Sequence, residues 1–234
     1  METMNSNKLP AVRKTEMRCC QGQEFRAIEG DQGEKIIEGH PAVYNQKTAI
    51  GNWFYEIIER GAFDGADMTD VPLLVNHNMK QIPVARSRRN NGNSTMQLSL
   101  DEKGIAIRAT LDTENNADAK QLYSAVSRGD MDGMSFAFRV DADEWIDMDN
   151  PDVDMPTRRI KAISKVFEVS AVIWPAYTDT DISARAGAGV LESAQWALEN
   201  ARAKASLEKE ARQSVETENE IELYRMKNRI LGGV

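Results

Sequence analysis

Hydrophobic and polar positions alternate along much of the middle of the chain, a pattern that predicts β-strands. The clearest case is a pair of alternating segments, Met96–Leu100 and Gly104–Leu111, separated by a polar turn, which together predict a β-hairpin. Further apolar, aromatic or alternating runs that predict strands are residues 36–44, 53–58, 72–77, 134–140 and 160–174. Six or seven strands of this kind predict a barrel or a sandwich.

Two helices are predicted beside these strands. Within residues 118–126, Leu122 and Val126 are four positions apart and share a helix face, and Gly129 ends the helix. Residues 190–229 are rich in Ala, Glu, Lys, Arg, Gln and Leu and contain no Pro or Gly, which favours one long helix. Its apolar stripe is weak, so we expect this helix to need a partner for stability.

Three segments follow from these patterns. Residues 1–33 are polar, with five acidic and five basic side chains, and predict a flexible N-terminal arm with one short strand around residues 25–28. Residues 34–186 form the main domain, and residues 187–234 form a helical tail. Inside the main domain, residues 141–156 carry seven acidic side chains, no basic ones and two prolines, which predicts an exposed acidic loop.

Charge and composition narrow the class of protein. The 234 residues include 29 Lys plus Arg and 37 Asp plus Glu, a net charge of −8, so we expect no nucleic-acid partner. No apolar run of about 18 residues is present, so we expect no membrane span. The N-terminus also lacks the apolar region of a signal peptide, so we do not expect a secreted precursor. The adjacent Cys19 and Cys20 make a poor disulfide pair, which predicts a reduced, cytoplasmic chain. The two cysteines and two histidines lack the spacing of a zinc site, and we expect neither metal nor cofactor.

Three polar residues lie at or within the predicted strands. His77 ends the strand 72–77, where the residues alone favour a strand-end histidine bonded to a nearby backbone group over a functional role. Ser135 lies in G-M-S-F-A at 133–137, but the hydrolase elbow G-x-S-x-G requires a second glycine and a following helix, so an esterase of that class is excluded. Glu168 stands in an apolar strand and must face solvent or have a partner, because an unpaired buried charge is costly.

Several short segments follow one another in a recognisable order. They are G-H-P-A-V-Y-N at 39–45, I-E-R-G-A-F-D at 58–64, L-L-V-N-H-N at 73–78, G-M-S-F-A-F at 133–138 and F-E-V-S-A-V-I-W-P-A-Y at 167–177. Their order and spacing resemble those of the tailed-phage prohead proteases, serine peptidases that mature viral capsids and share a fold with herpesvirus assemblins. The resemblance runs from about residue 36 to residue 185.

The resemblance implies a fold and a catalytic site. The fold would be mostly β with helices (α+β): an assemblin-like β-barrel of about seven strands with an inserted helix, followed by the long helical tail. His77 would be the general base and Ser135 the nucleophile. Assemblins use a second histidine as the third member, but no histidine follows Ser135, so the resemblance assigns this role to Glu168. The oxyanion donors are expected in the loop after Pro175.

The resemblance also implies a biological role. The chain would be a serine endopeptidase that cleaves scaffold and capsid-precursor segments, and itself, inside the viral procapsid in the bacterial cytoplasm. Its partners would be the major capsid protein precursor and scaffold segments as substrates, and a second copy in a homodimer. The alternative is a structural scaffold-type assembly protein that keeps a protease-like domain, and the helical tail is compatible with both functions.

Overall fold

The computed structural model describes residues 15–21, 24–173 and 188–231, and within these ranges the fold is mostly sheet with two helices. This confirms the predicted α+β class. The strands are β1 (Glu16–Gln21), β2 (Arg26–Glu29), β3 (Lys35–Val43), β4 (Thr48–Ile50), β5 (Phe54–Ile58), β6 (Asp70–Val75), β7 (Ala85–Arg88), β8 (Met96–Leu100), β9 (Gly104–Leu111), β10 (Gly133–Ile146) and β11 (Thr157–Val172). The helices are α1 (Ala117–Arg128) and α2 (Ala188–Leu231).

The described strands form two sheets. The seven-stranded sheet has the order β1-β10-β11-β5-β4, with β6 pairing with both β11 and β7, and the four-stranded sheet has the order β2-β3-β9-β8. The long strand β11 is antiparallel to β10 and parallel to two strands, β5 near its start and β6 near its end. In the part of the chain that the structure describes, eleven strands are thus divided between two sheets, and they do not close into one barrel of about seven strands.

Side-chain packing between the sheets explains why the central strands are apolar. The first six residues of β10 are buried, and the aromatic rings of Phe136 and Phe138 stack with their centroids 4.5 Å apart. Phe63 contacts Phe136 edge-on at 5.9 Å, which is a favourable aromatic arrangement. The predicted hairpin β8–β9 is confirmed, and its buried Met96 and Ile105 belong to the same core.

Helix α1 is confirmed, and local capping explains its ends. The Asn116 side chain accepts hydrogen bonds from the backbone N–H groups of Asp118 and Ala119, which have no partner inside the helix. Gly129 closes the helix in a left-handed conformation with φ of 75°, which glycine adopts without steric cost. The buried face carries Leu122 and Val126 toward the core.

The prediction that residues 141–156 form an acidic loop is wrong for residues 141–146, which belong to a strand. Strand β10 continues to Ile146 and β11 begins at Thr157, so residues 147–156 connect the two strands of a long hairpin. Cations on β11 explain the difference, because Arg158 pairs with Asp143 at 2.7 Å and Lys161 pairs with Glu144 at 2.8 Å. Opposite charges on neighbouring strands stabilise a sheet, whereas the acidic run alone suggested a loop.

The N-terminal segment contributes two strands where the sequence indicated only a short one around residues 25–28. The expected flexibility does not hold for Glu16–Gln21, which pair with β10 as strand β1. Residues 1–14, 22 and 23 of the predicted arm lie outside the described residues, as do Trp174 of the last predicted strand and the loop after Pro175.

The long helix predicted at the end of the chain is confirmed as α2. The chain divides into two units, residues 1–194 and 195–234, and α2 contributes to both. Every residue from 206 to 229 is exposed. Neither described helix combines the length and the hydropathy that crossing a bilayer requires.

Candidate active site

His77 follows the end of strand β6 and lies beside strand β11. Leu74 lies opposite Ser170 in the parallel pair of β6 and β11, and the Asn76 N–H then donates to the Ala171 carbonyl at 2.9 Å. Asn76 and His77 have φ values of 50° and 57°, so the chain leaves the strand in a left-handed conformation that is uncommon for residues other than glycine. This turn places the His77 ring beside the side chains of β11.

The His77 ring is hydrogen-bonded to the carboxylate of Glu168. Nδ1 of His77 lies 2.6 Å from Oε1 of Glu168, whose side chain is only 4% exposed. A buried carboxylate needs such partners, because desolvation of an unpaired charge is unfavourable. When Nδ1 carries the proton that is donated to Glu168, Nε2 is the ring nitrogen with the lone pair. The pair therefore has the arrangement of a general base and the group that orients it.

Ser135 lies on the neighbouring strand and is completely buried. It is opposite Ser170 in the antiparallel pair of β10 and β11, and opposite Cys19 in the pair of β10 and β1. Its hydroxyl donates to the backbone carbonyl of Arg18 at 2.9 Å. A serine hydroxyl has one proton, so in this arrangement it cannot also donate to His77. The structure thus brings His77 and Glu168 into contact, whereas the Ser135 hydroxyl is engaged by strand β1.

Ser170 is a polar residue of this region that the sequence analysis did not select. Its hydroxyl donates to Oε2 of Glu168 at 2.6 Å and accepts from the backbone N–H of His77 at 3.2 Å. The signal in the sequence was its position two residues after Glu168, because alternate residues of a strand share a face. A serine in an apolar strand has many ordinary explanations, so only the contacts identify it.

A buried cluster of ion pairs anchors β1 beside Ser135. Arg18 binds both carboxylate oxygens of Glu56, at 2.6 and 2.8 Å, and contacts Glu16 at 2.8 Å. Arg158 binds Glu16 at 2.6 Å and Glu56 at 3.1 Å, so two cations face two anions. Burial opposes ionisation of Glu16, but Arg158 and Arg18 outweigh this effect and hold its pKa below the ordinary value.

The other histidine belongs to a different part of the fold. His40 lies in β3, and its Nε2 is 2.8 Å from a carboxylate oxygen of Asp101 at the β8–β9 turn. Glu24 lies 3.6 Å from its Nδ1. These contacts of His40 are separate from the contact between His77 and Glu168. Among the described residues, no cluster of His, Cys, Asp and Glu side chains has the arrangement of a metal site.

The chain resembles known proteins over most of the region that holds these residues. The sequence profile of the family described as caudovirus prohead serine protease matches residues 22–192. The protein named prohead protease from Enterobacteria phage HK97 is 31% identical over 159 residues, which cover 66% of this chain and 62% of that protein. The chain thus spans less than two thirds of the length of this curated relative. No solved protein structure matches it.

Proposed function

The chain belongs to the caudovirus prohead serine protease family, and on that premise we propose that it is a serine endopeptidase. Ser135 is the nucleophile, His77 is the general base, and Glu168 orients and stabilises the base. The observation that carries the proposal is the 2.6 Å hydrogen bond between Nδ1 of His77 and Oε1 of the buried Glu168. This bond selects the tautomer in which Nε2 can accept a proton.

The reaction has two halves. Ser135 Oγ attacks the carbonyl carbon of the scissile peptide bond while its proton moves to Nε2 of His77. The imidazolium, stabilised by Glu168, then gives that proton to the leaving amine, the C–N bond breaks and an acyl-serine remains. In the second half, a water molecule gives a proton to Nε2 of His77 while its oxygen attacks the acyl carbon. The C–O bond to Ser135 then breaks, the proton on His77 passes to Ser135 Oγ, and the new carboxyl end is released. Backbone N–H groups after Pro175, outside the described residues, are expected to bind the oxyanion.

The hydroxyl of Ser135 must change its hydrogen bond before this reaction. It donates to the Arg18 carbonyl in this structure, and proton transfer requires that it turn to Nε2 of His77. Rotation about the Cα–Cβ bond between staggered rotamers moves the hydroxyl without changing the strand.

Membership of the family supports a proposal about the substrates and the setting. We propose that the enzyme cleaves scaffold and capsid-precursor segments, and itself, inside the procapsid in the bacterial host, and that it acts as a homodimer. The organisation proposed is a protease domain (34–186) to whose sheets the N-terminal strands β1 and β2 also belong, followed by a helical tail (187–234). No nucleic acid, membrane or cofactor takes part in the proposed function.

A structural role is the second candidate, and one observation favours it. The exposed helix from residue 206 to residue 229 offers a long surface to other helical proteins. In this alternative the chain coassembles with scaffold through α2, and cleavage by the protease-like domain is dispensable.

Processing of coexpressed capsid precursor separates the two candidates. Wild-type protein should shorten the precursor, and Ser135→Ala should leave it intact while it is still incorporated into particles. Ser164→Ala is the matched control, because Ser164 is on β11 and donates to the Arg139 carbonyl at 3.3 Å, away from His77. A serine-directed fluorophosphonate should label Ser135 in the wild type. Full processing by Ser135→Ala would remove Ser135 from the active site, and complete assembly without any processing would support the structural candidate.

A further inference from the structure

The hydroxyl of Ser170 contacts both the backbone N–H of His77 and the carboxylate of Glu168, which binds the His77 ring. Ser170 is fully buried in β11, in register with Ser135 on one side and Leu74 on the other. It is therefore between the strand that carries the nucleophile and the strand that leads to His77. We propose that Ser170 is a positioning residue, which holds the carboxylate of Glu168 and the backbone of His77 in the arrangement that keeps the proton on Nδ1. This inference rests on the proposed function.

Two hydrogen bonds orient the carboxylate of Glu168. Oε1 of Glu168 binds the His77 ring at 2.6 Å, and Oε2 accepts from Ser170 at 2.6 Å. The terminal torsion of a glutamate side chain is broad, so a single hydrogen bond does not define the plane of the carboxylate. Two short hydrogen bonds on different oxygens do define it. Ser170 thereby determines which lone pair Glu168 presents to Nδ1.

Ser170 also contacts the backbone of His77. Asn76 and His77 both have positive φ values, a conformation that is uncommon for residues other than glycine. The His77 N–H donates to Ser170 Oγ at 3.2 Å, so the oxygen that orients Glu168 also supports the turn. One hydroxyl thus couples the position of the imidazole ring to that of its carboxylate partner.

A simpler interpretation is that Ser170 only satisfies its own buried hydroxyl. Both interpretations predict some loss of stability when the hydroxyl is removed, because buried polar partners are then left unpaired. Only the positioning role predicts that the tautomer of His77 changes. The tautomer is measured on the free protein, so this result does not depend on whether the chain cleaves peptides.

The first measurement is the tautomer of neutral His77 by ¹⁵N NMR, with the full chain labelled in histidine. The chain has two histidines, and His40→Asn assigns their signals. The wild type should show one Nδ1–H tautomer for His77. Ser170→Ala should show a mixture of tautomers, Ser170→Thr should restore the single form, and Ser164→Ala should match the wild type. If Ser170→Ala does not fold, Ser170→Cys, with its weak donor, replaces it.

The second measurement is peptide hydrolysis by the same variants. Ser170→Ala removes a hydrogen bond to the charged carboxylate of Glu168. If the transition state loses the stabilisation that such a bond provides, kcat should fall by a factor of about 10 to 100. KM should change little, because Ser170 is not expected to touch the substrate, and Ser170→Thr should recover most of kcat. An unchanged tautomer in Ser170→Ala overturns the inference. A mixed tautomer in Ser170→Ala, together with a wild type that hydrolyses no peptide, supports the inference and refutes the proposed function.

Discussion

Replacing Arg18 with methionine should destabilise the sheet far more than an equivalent change at the surface. Arg18 is 2% exposed, and its guanidinium makes a bidentate bond to Glu56 and a further bond to Glu16. Methionine keeps much of the apolar stem but removes the cation, so Arg158 alone faces the two buried carboxylates. Removing one partner of a buried ion pair costs about 3–5 kcal/mol, because an uncompensated charge remains.

Arg86 offers a matched control with the same geometry in solvent. It binds both oxygens of Asp70 at 2.6 Å, and the two side chains are 36% and 50% exposed. Water solvates Asp70 when the arginine is removed, so Arg86→Met should cost no more than about 1 kcal/mol. Both variants lose a bidentate bond to one carboxylate, in a buried and in an exposed environment respectively, and Arg18→Met also loses the buried bond to Glu16.

The assay is urea unfolding followed by tryptophan fluorescence, with the free energy of unfolding from linear extrapolation. For a unit of this size the melting temperature changes by about 2–4 °C per kcal/mol, so Arg18→Met should lower it by about 6–20 °C. The double variant Arg18→Met/Glu56→Leu should recover part of the loss, because Glu16 and Arg158 then remain as a neutral pair. Equal effects of Arg18→Met and Arg86→Met would refute the reasoning and show that β1 does not bury these charges in solution.

Three further predictions concern catalysis, the tail and acid stability. Glu168→Gln should lower kcat by about 10⁴-fold, because an amide can stabilise the wrong imidazole tautomer. The wild-type rate should rise with pH, because a general base must be neutral to accept the serine proton. Peptide hydrolysis measured across pH checks both, and an unchanged rate in the variant would exclude Glu168 as the residue that orients His77. A chain ending at Ala205 should hydrolyse a small peptide as the full chain does, but it should not be incorporated into procapsids. The protein composition of purified particles measures incorporation, and normal incorporation would show that a segment other than the tail directs the chain into the procapsid. Because the pKa of Glu16 is held below its ordinary value of 4.5, its charge stabilises the fold above that pH, and this contribution is lost as the pH falls through the lowered pKa. Glu16→Gln should therefore show a weaker dependence of unfolding free energy on acidic pH than the wild type, and an identical dependence would contradict the ion-pair assignment.

Local pattern was sufficient for elements whose stabilising contacts are close in sequence. The hairpin β8–β9 follows from alternation around a turn, and α1 follows from its apolar face and the glycine that ends it. The long helix α2 follows from composition alone. In the helices the backbone hydrogen bonds join residues four positions apart, and in the hairpin they join two consecutive segments, from the pair Leu100–Ile105 to the pair Met96–Ala109. One contiguous stretch of sequence therefore contains most of the information in each case.

The candidate site was only partly accessible from the sequence. His77, Ser135 and Glu168 could be selected from their order and from the family they resemble. The sequence could not show that the Ser135 hydroxyl is bound by Arg18, or that Ser170 joins Glu168 to the backbone of His77. Those contacts depend on strand register, which sets the face and the neighbour of every side chain.

Tertiary structure also decided where charged segments become strands. Glu16 and Arg18 lie in a stretch whose polarity suggested a flexible arm, and the acidic residues after Val140 suggested a loop. Both stretches pair as strands because their charged side chains meet opposite charges on other strands. Glu56 binds Arg18 and Arg158 binds Glu16 in the first stretch. In the second stretch, Arg158 binds Asp143 and Lys161 binds Glu144. A charge disfavours burial only when it is unpaired, and its partner is determined by the fold and not by its neighbours in sequence.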